Sequence, residues 1–69
     1  MMKVDVRGLS CPEPVLLTMD AMNECPGEEI IVWGDEPHTK KNICVMLEQY
    51  GKKYEVKDLK REFEITFTA

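Results

Sequence analysis

Residues 7–14 read Arg7-Gly8-Leu9-Ser10-Cys11-Pro12-Glu13-Pro14, and they separate two segments with different hydrophobic periodicities. Before them, Lys3 to Arg7 alternates apolar and polar side chains, which predicts a strand with one buried face. After them, Val15 to Met22 carries apolar residues at helical spacing. Proline fits the first turn of a helix, because its missing N–H would have no intrahelical partner there. The two prolines therefore predict that a helix begins directly after the cysteine.

This position bears on the reactivity of Cys11, since the residue falls at or near the N-cap of the predicted helix. A helix N-terminus stabilises an anion, and the thiolate is the nucleophilic form of cysteine. An exposed helix end is worth about 0.3–1 kcal/mol, which lowers a thiol pKa by about 0.2–0.7 from its usual value near 8.5. Arg7 would lower the pKa further and Glu13, a like charge, would oppose it. The alternative is an unreactive Cys11 that fills the start of the helix.

Size and charge limit the classes of function. The chain has 69 residues, which predicts a single domain over 1–69 with little room for an enclosed cavity. A net charge of -4 argues against binding to a nucleic-acid backbone. No run of about 18 apolar residues is present, so no membrane span is expected. The three cysteines are an odd number, and the N-terminus does not resemble a signal peptide, so we expect reduced thiols and a cytoplasmic location.

Further elements follow from the same patterns. The first helix is predicted from about Pro12 to Glu24, and a strand follows from Glu28 to Gly34. Pro37 is predicted to open a second helix that ends near Gly51. Lys53 to Leu59 and the alternating segment after Glu62 predict a hairpin. The predicted fold is α+β, a two-layer βαβαββ arrangement with a small mixed four-stranded sheet and two helices on one face.

Two apolar stripes and one apolar run predict the core. In the first helix the stripe is formed by Val15, Leu16, Leu17, Met19 and Met22. In the second helix it is formed by Ile43, Met46, Leu47 and Tyr50. The unbroken run Ile30-Ile31-Val32-Trp33 predicts a strand covered on both faces, with Trp33 in the core. Cys25 and Cys44 are interpreted as packing residues.

Connectivity places a second segment near Cys11. A strand-helix-strand series predicts parallel pairing of the first two strands, so the turns after both lie at one edge of the sheet. Asp35-Glu36-Pro37-His38-Thr39-Lys40-Lys41 would then share that edge with Cys11. His38, Lys40 and Lys41 would lower the thiol pKa or attract an acidic partner. The alternative is that they form an ordinary solvated surface.

The motif Asp5-x-Arg7-Gly8-Leu9-x-Cys11-Pro12-x-Pro14, followed by Asp35-Glu36-Pro37-x-Thr39, resembles the TusA/SirA/YedF family of small sulfur-carrier proteins. The resemblance covers nearly the whole chain and implies the βαβαββ fold. It implies that Cys11 is the functional residue and holds sulfane sulfur as a persulfide, with Arg7, Gly8, Pro12, Glu13 and Pro14 as motif support. Asp35, His38, Thr39, Lys40 and Lys41 are candidate partner contacts.

The resemblance also implies partners. The donor would be a cysteine desulfurase or a rhodanese-like protein, and the sulfur would pass to another carrier toward tRNA thiolation, molybdenum cofactor synthesis or sulfur oxidation. The YedF branch is linked to selenium metabolism, so a selenium cargo stays open. No cofactor and no metal are expected, and no nucleic acid or membrane is expected as a direct partner. The chain would act as a sulfurtransferase-like carrier rather than as a stand-alone enzyme.

The same residues bear on four other classes of protein. A zinc site is disfavoured, because the cysteines form no C-x₂-C pair. A thioredoxin-like motif fails, since the residue that would be its second cysteine is Val15. An RNA-binding module lacks a basic and aromatic strip. A regulatory or interaction domain that uses the sheet around Trp33 and needs no thiol is the main alternative.

Overall fold

A computed structural model of the chain describes residues 2–10 and 12–69. Its elements, in chain order, are β1 (Met2–Asp5), α1 (Glu13–Glu24), β2 (Glu29–Gly34), α2 (Pro37–Gln49), β3 (Tyr54–Asp58) and β4 (Phe63–Thr68). The predicted order is confirmed. β1 ends at Asp5 rather than at Arg7, although the Val6 N–H still donates to the Trp33 carbonyl at 2.8 Å.

The sheet is mixed, with the strand order β1-β2-β4-β3. β1 pairs with β2 in parallel, with Asp5 opposite Trp33, whereas β4 runs antiparallel to both β2 and β3. The parallel pair requires a crossover, which α1 supplies, and the last two strands form the predicted hairpin. The α+β class is therefore confirmed.

The core lies between one face of this sheet and both helices. Inward residues of the two central strands join residues of α1 and α2, and Val6 directly after β1, in one buried cluster. The cluster consists of Val6, Ala21, Ile30, Val32, Ile43, Met46, Leu47, Phe63, Ile65 and Phe67. All the strand residues in this set alternate along their strands, so they share a face of the sheet. Both helices therefore cover the same face.

In α1 the buried stripe differs from the predicted one. The fully buried positions are Pro14, Thr18 and Ala21, while Leu16 and Leu17 are 52% and 40% exposed. The buried positions keep the predicted i, i+4, i+7 spacing, but the stripe begins one residue earlier, at Pro14 instead of Val15. Small side chains at the centre of the stripe let the helix lie close to the sheet, and the Thr18 hydroxyl donates to the Pro14 carbonyl at 2.8 Å. The prediction that both leucines widen the buried stripe was wrong.

β2 is covered by helices on one face, not on both as predicted. Its burial alternates, with Ile30 and Val32 fully buried and Ile31 and Trp33 half-buried on the opposite face. Trp33 therefore lies outside the core. On the open face of this central strand, Ile31 and Trp33 lie between paired residues of β1 and β4 and are half-buried.

The second helix packs through Ile43, Met46 and Leu47 as predicted, but Tyr50 is 54% exposed. Tyr50 follows the last helical residue, so it lies beyond the end of the buried stripe. β3 is an edge strand, which explains why Val56 is exposed although the strand alternates. Within residues 2–10 and 12–69, neither helix has the length and apolar character needed to cross a membrane.

Candidate functional site

The segments that the sequence assigns to the site meet at one edge of the sheet. We call it the carboxyl edge, because the parallel strands β1 and β2 both end there; it consists of residues 6–10, 35–41 and 59–62. The Gly8 N–H donates to Asp35 Oδ1 at 3.2 Å, and this bond joins the turn after β1 to the turn after β2. The prediction that both turns share an edge is thus confirmed for these residues.

Cys11 itself lies outside the described residues, so its predicted place at or near a helix N-cap stays a prediction. The residues on either side of it are ordered by backbone hydrogen bonds. The Leu9 N–H donates to the Val6 carbonyl at 3.3 Å, and the Glu13 N–H donates to the Ser10 carbonyl at 3.2 Å. Gly8 has a φ of 76°, a left-handed conformation that glycine adopts without strain.

The prolines of the motif have the predicted relation to α1. Pro12 occupies the N-cap position, where its side chain makes no capping hydrogen bond, and the exposed Glu13 is the first helical residue. Pro14 is buried in the first turn. Because neither proline has an N–H, this helix start offers fewer backbone donors to an anion than an ordinary one. The electrostatic gain expected for a neighbouring thiolate is correspondingly smaller.

Arg7 has well-defined partners on the open face of the sheet. Its Nη2 lies 3.0 Å from Asp5 Oδ2 and its Nη1 lies 3.3 Å from Glu62 Oε2. The guanidinium also stacks on Trp33, with Cζ 3.3 Å from the ring centroid. Hydrogen bonds from Arg7 lower the pKa of the Asp5 carboxyl, and the Asp5 carboxylate in turn raises the pKa of Arg7. The positive charge of Arg7 is thus balanced by carboxylates.

The second segment begins α2 as predicted. Pro37 is its first residue, and the Glu36 carboxylate accepts a hydrogen bond from the His38 N–H at 3.1 Å. His38 and Lys41 are exposed, while Lys40 Nζ lies 2.9 Å from Asp58 Oδ1 on the hairpin. The ion pair engages Lys40 within the chain, so its charge is less available to a partner.

Thr39 differs from the surface role suggested for it. Its side chain is 1% exposed, and its hydroxyl oxygen has no hydrogen-bond partner among the described residues. A side chain buried to this extent is unable to contact a visiting protein without rearrangement. Thr39 is therefore a packing residue of the carboxyl edge in this structure, and its role as a partner contact stays a prediction.

Cys25 and Cys44 are free thiols, and both are half-buried. Cys25 Sγ lies 3.3 Å from Met2 Sδ, and the Glu28 carboxylate raises the pKa of the Cys25 thiol. Cys44 packs against the core, and burial raises its pKa. Higher pKa values reduce the thiolate fraction at neutral pH, which agrees with the packing role predicted for both.

A groove between the two helices begins beside the motif. Its volume is about 410 Å³, and it is lined by residues of both helices, namely Pro12, Val15, Met19, Asn42, Val45, Met46, Gln49 and Tyr50. Leu16 and Leu17 are exposed on the neighbouring surface of α1. The surface next to the motif is therefore partly apolar, with exposed side chains from both helices.

Trp33 and Glu62 were not identified as site residues from the sequence. Trp33 Nε1 donates to Glu62 Oε1 at 3.0 Å, and both side chains contact Arg7 of the motif. The sequence shows that Trp33 is aromatic, but not that it lies opposite Asp5 and close to Glu62, because both depend on strand register. Among residues 2–10 and 12–69, no group of three or more His, Cys, Asp or Glu side chains is placed to hold a metal ion.

Comparison with known proteins agrees with this architecture. The family described as "Sulfurtransferase TusA" matches residues 2–68. A protein of Archaeoglobus fulgidus named "Putative sulfur carrier protein" is 40% identical over 53 residues, which cover 75% of this chain and 69% of that protein. The crystal structure of a SirA-like protein from Desulfitobacterium hafniense superimposes with a TM-score of 0.90 at 28% identity, covering 100% of this chain and 97% of that one. These similarities support a sulfur-carrier role. The chain belongs to the TusA sulfurtransferase family.

Proposed function

We propose that this protein is a sulfur carrier that accepts sulfane sulfur as a persulfide on Cys11 and passes it to a thiol of a downstream acceptor protein. The observation that carries the proposal is the position of Cys11 in the Cys-Pro-x-Pro motif, directly after residues 6–10, which hydrogen bonds hold at the carboxyl edge, and directly before the N-cap of α1. Its sequence neighbours Ser10 and Pro12 are both exposed, which favours access by another protein.

The proposed reaction is a thiol–persulfide exchange. The Cys11 thiolate attacks the outer sulfur of a donor persulfide, the donor's S–S bond breaks, and the donor cysteine leaves as a thiolate. A new S–S bond forms on Cys11, and the transferred sulfur keeps its proton, so no external oxidant or reductant is consumed. In the second half, the acceptor thiolate attacks the outer sulfur on Cys11, and Cys11 leaves as the thiolate.

This reaction needs few groups from the carrier. The donor has already activated the sulfur, so a single accessible thiolate suffices and a general base paired with the nucleophile is not required. Such a minimal requirement suits a domain of 69 residues, which has little interior for an enclosed active site. We infer that the donor is a cysteine desulfurase or a rhodanese-like protein that docks at the carboxyl edge and the adjoining helical groove.

Intact-mass analysis tests the proposal. The protein is incubated with a cysteine desulfurase and free cysteine, and we expect a mass increase of one sulfur atom, about 32 Da. The increase should be lost on treatment with a thiol reductant, because the sulfur is held by an S–S bond. A protein that folds but gains no mass with any persulfide donor would contradict a carrier role.

The three cysteines of the chain supply matched controls. Cys11→Ser should abolish the adduct, whereas Cys25→Ser and Cys44→Ser should retain it, since the pKa values of those two thiols are raised and their side chains are half-buried. An adduct that persists in Cys11→Ser would refute the assignment of the site while leaving a carrier role intact.

A further inference from the structure

We propose that Trp33 and Glu62 are positioning residues for sulfur transfer, and that they act through Arg7 to hold the segment leading to Cys11 in place. The proposal rests on the proposed function, because it names what orients the same site. Neither residue belongs to the motif that carries the family resemblance. The proposal is based on three contacts, one between each pair of Arg7, Trp33 and Glu62. Together they form a closed triangle on the open face of the sheet.

Each side of the triangle is a direct contact. Arg7 Cζ lies 3.3 Å from the centroid of the Trp33 ring, and Arg7 Nη1 lies 3.3 Å from Glu62 Oε2. The third side is the hydrogen bond from Trp33 Nε1 to Glu62 Oε1 at 3.0 Å. Since the two oxygens of one carboxylate hold the guanidinium and the indole at once, the ring is fixed in the orientation that supports the stacked arginine.

The triangle joins three parts of the fold. Arg7 follows β1, Trp33 lies on β2, and Glu62 directly precedes β4. Arg7 is also held from its own strand, because its backbone N–H and its Nε both donate to Asp5 Oδ1 at 3.1 Å. The backbone of Arg7 is therefore anchored where the chain leaves the sheet toward Cys11.

A second set of bonds continues this anchoring along the chain. The Gly8 N–H is held by Asp35 Oδ1 at 3.2 Å, and the Leu9 N–H by the Val6 carbonyl at 3.3 Å. Without the stacked side chain at position 7, these bonds would have to hold an exposed turn alone. Transfer of an atom between two proteins requires a defined approach, and a small misplacement of the reacting group reduces the rate strongly.

The alternative role for Arg7 is electrostatic, namely that its charge lowers the pKa of the Cys11 thiol. Two carboxylates lie within 3.3 Å of its guanidinium nitrogens, so much of its field is cancelled. The planar guanidinium stacks and forms several directed hydrogen bonds at once, which a lysine ammonium is unable to do. Arg7→Lys keeps the positive charge but removes the stacked, multiply hydrogen-bonded guanidinium. This substitution therefore separates a positioning role of Arg7 from an electrostatic one.

The experiment compares four chains with Cys25 and Cys44 replaced by serine: the parent, Arg7→Lys, Trp33→Leu and Lys3→Gln. Lys3→Gln is the matched control, because Lys3 Nζ lies 4.2 Å from the same ring but Lys3 is not in the segment leading to Cys11. The rate of persulfide loading from a cysteine desulfurase is measured beside the pH dependence of iodoacetamide alkylation. Thermal unfolding checks that each chain is folded at the assay temperature.

We expect Arg7→Lys and Trp33→Leu to load about tenfold more slowly than the parent, with the apparent pKa of alkylation unchanged, and Lys3→Gln to load at the parent's rate. Parent-like loading in both variants would overturn the proposal. Slow loading accompanied by a raised alkylation pKa would also overturn it, since Arg7 would then act by charge. A parent that fails to load contradicts the proposed function instead.

Amide hydrogen exchange tests the positioning itself, whether or not the protein carries sulfur. In Trp33→Leu and in Glu62→Gln, the Gly8 and Leu9 amides should exchange faster than in the parent, while amides in the middle of α2 should keep their rates. Unchanged exchange at Gly8 and Leu9 would overturn the proposal. Equal acceleration throughout the sheet would do so as well, because the triangle would then contribute only general stability.

Discussion

Arg7 stacks its guanidinium on the Trp33 ring at 3.3 Å, and this contact joins the turn after β1 to the open face of β2. The same arginine binds Asp5, which lies directly opposite Trp33 in the parallel pair. The arginine of the Arg-Gly-Leu element is therefore directed across the sheet. Its contacts hold the exposed turn after β1 against the sheet without burying it.

Asp5 offers a direct test of the arginine contact. Hydrogen bonds from Arg7 lower the pKa of the Asp5 carboxyl from its ordinary value of 3.8. Arg7→Gln should therefore raise it toward that value, as measured by following the Asp5 carboxyl carbon by NMR against pH. Glu55→Gln is the control, because Glu55 lies on β3, the strand of the sheet farthest from β1 and Asp5.

The sign of the stability effect follows from the direction of that shift. A carboxyl with a lowered pKa in the folded state adds stability above its unfolded pKa and loses it as the pH falls through the folded pKa. The difference in stability between the parent and Arg7→Gln should therefore be present at neutral pH and shrink below about pH 3.8. An Asp5 carboxyl that titrates identically in both chains would refute this account.

Two leucines at helical positions test the observed core. Leu47 is fully buried, whereas Leu16 is 52% exposed. Leu47→Ala should lower the free energy of unfolding by about 2–5 kcal/mol, because it removes buried contacts and leaves a cavity. Leu16→Ala should change it by less than about 0.5 kcal/mol. Urea unfolding measures both, and similar losses in the two variants would mean that the face of α1 is assigned wrongly.

Gly34 tests a close approach between strands. A Cβ at this position would overlap the buried Phe63 ring, lying 2.8 Å from Cε2, and would be 3.1 Å from Val6 Cγ2. Gly34→Ala should therefore destabilise the fold by about 1–3 kcal/mol, although alanine is ordinarily favoured over glycine within a strand. The loss should be measured by urea unfolding.

A double-mutant cycle identifies the cause of that loss. In a Phe63→Leu background the side chain no longer reaches as far, so Gly34→Ala should cost less than it does in the parent. An equal cost in both backgrounds would show that something other than the aromatic ring opposes a side chain at position 34.

Cys25 tests the electrostatics of a cysteine outside the motif. The neighbouring Glu28 carboxylate raises the pKa of its thiol. In a Cys11→Ser, Cys44→Ser background, Glu28→Gln should lower this pKa and increase the rate of iodoacetamide alkylation at neutral pH, because more thiolate is present. Glu29→Gln, one residue along, is the matched control and should leave the rate unchanged. A faster rate in the control alone would contradict the assignment.

The order of elements was predictable because each one has a local signal. Pro12 and Pro14 mark the start of α1, Pro37 marks the start of α2, and the alternation of Phe63, Ile65 and Phe67 marks a half-buried strand. The same local reasoning missed which face of α1 is buried. Leu16 and Leu17 are as apolar as the residues beside them, but the helix packs against the sheet through the smaller side chains of Thr18 and Ala21.

The sequence by itself determined the βαβαββ order, the parallel crossover and the candidate cysteine, because periodicity and proline placement act between residues near in the chain. Tertiary structure alone decided that Trp33 lies on the open face, that Arg7 stacks on it and that Glu62 holds both. These contacts depend on strand register, which places residues far apart in sequence beside each other and is set by the packing of the whole sheet.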